Sequence, residues 1–150
     1  MDSFTATRII NELLERANIG VSVQLESVFP GGRLVGGKYG MNSHTITLYT
    51  EVILDQCLQL FGTLERAEDY FAVIAAHEIG HAADMELGSL CEAMESSMMP
   101  AERSRIALQI EENAWNYALQ LIPEIDAVFI STIIDESLAA YREQVQSDIA

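Results

Sequence analysis

The chain has 150 residues, 49% hydrophobic and 21% charged, which is globular composition and enough length for one domain spanning residues 1–150. Its 23 acidic and 8 basic residues leave a formal charge of −15. That excludes nucleic acid and anionic membrane as electrostatically attracted partners. Met1-Asp2-Ser3-Phe4 has neither the basic start nor the apolar run of a signal peptide, and no apolar run approaches the roughly 18 residues of a membrane span, so a cytoplasmic protein is expected. Cys57 and Cys91 form no CxxC and are read as reduced, buried thiols.

In chain order, residues 3–18 carry Phe4, Ala6, Ile9, Ile10, Leu13 and Ala17 at helical spacing, with Ser3 as cap and Asn18 and Gly20 as the stop. Val21–Leu25 alternates apolar and polar like a half-buried strand. After a turn at Phe29–Gly32, Leu34-Val35 and Lys38-Tyr39 suggest a second short strand interrupted by Gly36-Gly37. Met41–Ser43 is a turn, and His44–Thr50 is a third strand, suited as an edge to bind an extended peptide through its main chain. From Glu51 the pattern is helical: Glu51–Phe61 closed by Gly62, Thr63 to about Leu87 stopped at Gly88, and a short segment at Leu90–Met94. Pro100–Ile122 follows, ending before Pro123. A last helix is striped by Ile130, Ile134, Leu138, Tyr141 and Val145. Met98-Met99 reads as a hydrophobic plug. The expected fold is α+β, a small antiparallel sheet packed on four to five helices.

Two of the chain's three histidines lie in Ala75-Ala76-His77-Glu78-Ile79-Gly80-His81-Ala82-Ala83-Asp84, an HExxH sequence. Four residues apart on a helix, His77 and His81 leave one face one turn apart. Two neutral ring nitrogens can then reach one Zn²⁺ at about 2.0–2.1 Å each. Glu78 is rotated about 100° from His77, where it can take a proton from a zinc-activated water without being a ligand. The bland alternative is a helix carrying these residues by chance, against which stand the apolar flanks from Tyr70 to Ala83. Gly80 costs the helix about 1 kcal/mol relative to Ala, which implies that another element packs close there. Asp84 is placed to accept the second ring N–H of His81 or to sit in solvent.

Catalytic zinc keeps three protein ligands and one open position. On a wheel turning about 100° per residue from Ala101, Glu111 falls at about 280°, inside the apolar arc of Ala107, Ala114, Ala118, Leu121 and Ile122, and Glu112 at about 20°, on the polar border. A carboxylate in an apolar stripe is costly unless paired or bound to metal. Glu111 is therefore the expected third ligand, with Glu112, or an internal ion pair of Glu111 with Arg103 or Arg105, as alternatives. Tyr117, Tyr141 and His44 are the candidate donors to an oxyanion.

HExxH followed by a glutamate on a later helix resembles the gluzincin pattern of zinc metallopeptidases. Glu111-x-x-Ala114-x-x-Tyr117-Ala118-x-x-Leu121-Ile122-Pro123 is similar to the ImmA/IrrE-type metallopeptidases, a likeness covering about residues 70–123. It implies a zincin-like fold with the HExxH helix buried, zinc held by His77, His81 and Glu111, and a peptide or protein substrate hydrolysed with Glu78 as general base. Those enzymes cleave repressors of phage immunity or stress response. Trp115 stands where they often carry Asn or Asp beside the site, and no helix-turn-helix segment is present here. Two other functions remain in view: a non-peptidase zinc amidase, which would need a cysteine ligand, and a catalytically silent binding protein tied together by zinc.

Overall fold

The computed structural model describes residues 1–149. Among them the chain is α+β, with six helices and a three-stranded sheet. α1 (Ser3–Ala17) starts under Asp2, whose carboxylate accepts the Thr5 N–H at 2.7 Å. The cap is thus Asp2 rather than Ser3. Asn18 closes the helix in the left-handed region at φ 54°. β1 (Ser22–Glu26), β2 (Gly37–Gly40) and β3 (Thr45–Tyr49) follow, then α2 (Thr50–Phe61) and α3 (Ala67–Ala83). α4 (Leu87–Ser96), α5 (Pro100–Leu121) and α6 (Ala127–Ile149) complete the chain.

The sheet corrects the expected antiparallel arrangement. Its order is β1-β3-β2, with β1 parallel and β2 antiparallel to β3. β3 is the centre because it is the most apolar strand: Ile46, Leu48 and Tyr49 are each 1% exposed and Thr47 is buried beside them. The long connection from β1 passes across β3 to form β2, which returns through a tight turn. His44–Thr50 is therefore no edge, and the free edge near the site belongs to β2. Leu34-Val35 lies outside any strand.

The four-to-five-helix expectation is also too low. α3 ends four residues before Leu87, because the Asp84 side chain accepts the Glu86 N–H at 2.9 Å and turns the chain locally. The residues released from α3 leave room for α4 as a helix of its own. Met98 and Met99 are no plug, being 94% and 62% exposed.

α3 is apolar nearly all round, and the other elements enclose it. Phe71, Val73, Ala75, Ala76 and Ile79 are buried against α1, α2, α5 and the sheet. Its closest partner is α5, and Gly80 explains how. A Cβ there would sit 3.0 Å from the Cα and carbonyl carbon of Ala114, and closer still to its oxygen. The missing side chain at Gly80 and the small one at Ala114 let the two backbones touch, as the isolated glycine had suggested. No helix of the described residues is long and apolar enough to cross a membrane.

Candidate metal centre

Tight α3–α5 packing decides what meets across the interface. His77 and His81 point from α3 toward α5, where Glu111 lies one turn before Ala114. His77 Nε2 is 3.1 Å from Glu111 Oε1, and His81 Nε2 is 3.2 Å from Glu111 Oε2. A tetrahedral ion with ligands about 2.0–2.1 Å away holds neighbouring donors roughly 3.3–3.4 Å apart. Each histidine–carboxylate pair is spaced as neighbouring ligands of a small cation would be, although the two histidines meet different oxygens of Glu111. Among the described residues, His77, Glu78 and His81 form a group whose donor atoms lie within 4.8 Å of one another, able to hold a metal ion.

Burial is the largest influence on the Glu111 carboxyl and pushes it up. Hydrogen bonds from His77 and His81, with their charges, together outweigh it and hold Glu111 down at about 2. Burial pushes the His81 imidazole down, but Glu111 and the charges of Glu78 and Asp84 reverse that and raise it. The paired alternative for Glu111 therefore exists, with the histidines rather than Arg103 or Arg105 as partners. Glu112 is half-buried and lines neither cavity at the site.

Glu78 differs from Glu111. It is 5% exposed, and its Oε2 is the one buried side-chain oxygen or nitrogen without a hydrogen-bond partner among the described residues. Burial pushes its carboxyl up, against the opposing charges of His77 and His81. Gly37 of β2 makes the space for it. A Cβ at Gly37 would lie 2.9 Å from Glu78 Cγ, so only glycine lets this strand pass over the carboxylate. Sequence reasoning missed Gly37, since nothing local distinguishes it from its neighbour Gly36.

Trp115 resolves what holds His77. Its indole stacks on the imidazole with ring centroids 4.2 Å apart and planes 24° from parallel. Its Nε1–H donates to Ser137 Oγ of α6 at 3.3 Å. The His77 Nδ1 is 3.6 Å from Glu78 Oε1. A packed aromatic face thus orients His77. Asp84 does not hold His81; its carboxylate takes N–H groups from Glu86 and, at 3.3 Å, from Asn113 of α5.

Of the three oxyanion candidates, the structure brings one to the site. Tyr141 of α6 lines a cavity of about 430 Å³ with His77, Glu78, His81 and Glu111. Burial, and then the charges of Glu111 and Glu78, push its hydroxyl up. His44 is exposed in the β2–β3 turn at φ 48°, its Nδ1 2.6 Å from the Tyr39 hydroxyl. Tyr117 packs against the core and lines neither cavity. Both cysteines are free; Cys57 is buried with its thiol on the Thr63 carbonyl, whereas Cys91 is half-buried and lines the Tyr141 cavity, contrary to the buried expectation. A second cavity of about 640 Å³ opens on the other side of His77 and Glu78, so the centre sits between two clefts.

Compared with models of protein families, with curated proteins and with solved structures, the chain matches none.

Proposed function

We propose that this chain is a zinc-dependent metallopeptidase in which His77, His81 and Glu111 hold the ion and Glu78 moves the protons of peptide hydrolysis. The observation that carries the reading is Glu78 Oε2, a buried oxygen with no partner, in the His77/Glu78/His81 group that Glu111 meets through both histidines, at the junction of two clefts. A buried polar atom left unpaired costs roughly 1–3 kcal/mol, more when charged. Such a group persists where it has a ligand or a reaction to serve. Two nitrogens and a carboxylate form the donor set of a catalytic zinc site. When bound, the ion would supply Lewis acidity toward a carbonyl and toward water.

The chain's own residues do the rest. An extended peptide lies along the free edge of β2 at Lys38 and Tyr39, which opens onto the cleft. Glu78, with its raised carboxyl, accepts a proton from the attacking water and returns it to the departing amine. Tyr141 donates its hydroxyl to the oxygen that gains charge as the carbonyl is attacked. Trp115 holds His77 in one orientation throughout.

Glu78→Gln tests this. The amide keeps shape and metal but cannot take the proton, and a lost general base costs about 10²–10⁴-fold in rate. Turnover of peptide pools by the zinc-loaded protein should fall by that factor with zinc affinity retained. Equal turnover refutes the role of Glu78, and no turnover in the unsubstituted protein refutes the peptidase reading.

One observation favours the silent, metal-tied binding protein. Glu111 already bonds both histidines, so the cluster can fasten α3 to α5 without any reaction. A zinc amidase with a thiolate ligand has less support, because neither cysteine belongs to the converged group.

A further inference from the structure

We propose that the cavity on the Trp115 side of the centre is a side-chain pocket for lysine or arginine of a bound peptide, with Glu136 as its recognition residue. This rests on the peptidase reading for its role in cleavage, but not for binding.

The pocket's composition argues for such a guest. At about 640 Å³ it has room for a long side chain. Leu34, Leu60, Ile74 and Ile133 supply apolar walls, which suit an alkyl stem. Glu136 and Glu78 are its acidic lining residues, and none of the chain's 8 lysines and arginines lines it. Glu136 is exposed on α6 and pairs with no cation among the described residues. Its charge reaches into the pocket far enough to help raise the Tyr70 hydroxyl. Gln56 spends an N–H on the Leu34 carbonyl at 3.2 Å, which leaves its amide oxygen as an acceptor for a guest. A neutral or acidic tip would leave Glu136 unanswered or opposed. The −15 charge of the chain draws basic peptides toward it as well.

Trp115 is the chain's only tryptophan and lines this pocket, so its fluorescence reports occupancy directly. Alanine pentapeptides with lysine, arginine, norleucine or glutamate at the centre are titrated onto Glu78→Gln protein, with and without zinc. This background turns them over at least about 100-fold more slowly and leaves Glu136 as the pocket's one acid. Lysine and arginine should bind up to about fivefold tighter than norleucine, the range of an exposed ion pair. Norleucine should bind tighter than glutamate. Glu136→Gln should erase the margin of lysine over norleucine, and Glu136→Lys should invert the order of lysine and glutamate. Lysine binding no better than norleucine, a margin that survives Glu136→Gln, or no binding by any peptide overturns the assignment. Selective binding without cleavage by the unsubstituted protein would sink the peptidase reading and leave the pocket standing. Cleavage without any preference for a basic residue would do the reverse.

Discussion

Gly80→Ala tests the contact on which the centre depends. The added Cβ would stand 3.0 Å from two backbone atoms of Ala114 and nearer to a third. Carbon atoms rest at about 3.5–4.0 Å, so α3 and α5 must part by roughly half an ångström or more. Backbone cannot swing aside like a side-chain tip, which puts the cost at the upper end of overpacking, about 3 kcal/mol. Alanine returns about 1 kcal/mol of helix propensity. The net loss of about 2 kcal/mol corresponds to a fall in Tm of about 4–8 °C for a domain of this size. Thermal melts followed by far-ultraviolet dichroism, in chelator, read this directly. Zinc adds a second reading. A native-state ligand at a hundredfold excess over its Kd stabilises by about 2.7 kcal/mol. Glu111 sits three residues before Ala114, so parting the helices carries it away from His77 and His81. The rise in Tm on adding zinc should therefore shrink in the variant. An apo Tm that is unchanged or higher refutes the close contact. A full zinc response refutes its link to the centre.

Two further outcomes follow from the geometry. Glu111→Gln should weaken zinc binding by more than about 100-fold, beyond what an outer partner typically costs, whereas Glu112→Gln should change it by less than about twofold; competition with a chelating dye measures both, and zinc loss in the Glu112 variant would overturn the placement of Glu111. Tyr70, 5% exposed, has its hydroxyl pushed up from 10.0 to about 12 by burial, then by the charges of Cys57 and Glu136. Between those values the unfolded chain binds fewer protons than the folded one, so stability is intact below about pH 10 and falls toward about pH 12, by about 2–3 kcal/mol in all. Tyr70→Phe should flatten that alkaline loss in urea unfolding at pH 8 and 11, and equal losses in both proteins would refute the burial of the hydroxyl.

The parts of the site that could be read from the sequence are those written in a short period. His77 and His81 share a face because four residues make about one turn. Glu111 betrayed itself by its angle, a charge inside an alanine stripe, and it does meet both histidines. Gly80 was legible for the same reason, being a poor helix former where a better one would cost nothing locally. Features set by pairing between distant segments were not legible. The alternation in Val21–Leu25 and His44–Thr50 gives faces, but carries no information on which strand lies between the others. Alternation therefore leaves β3 free to be an edge, whereas pairing makes it central and puts β1 and β2 at the edges. Tyr141 could be named only as one of three donors, because the approach of α6 to the centre is a tertiary fact. Trp115 was visible as a departure from a familiar pattern, yet its stack on His77 depends on where α5 lies against α3.

Gly37 and Gly80 together explain why the centre looks costly if judged as structure alone. One admits β2 over Glu78, and the other admits α5 against the face of α3 that carries His81. Both glycines forgo side-chain packing and both bring backbone close to ionisable groups. What results is a carboxylate at Glu78 that is buried, raised in pKa and without a partner for one oxygen. A chain under pressure only to fold would do better with an apolar residue there, since replacing a buried charge by a well-packed side chain is often neutral or stabilising. Glu111 would not follow the same rule, because its two oxygens are satisfied by His77 and His81. The two acids therefore separate by their surroundings: Glu111 is held ionised with both oxygens engaged, whereas Glu78 is desolvated with one oxygen free, a separation that supports the proposed division into ligand and proton acceptor. Local rules broken at one point, with two glycines positioned to break them, are what a site of chemistry leaves in a fold.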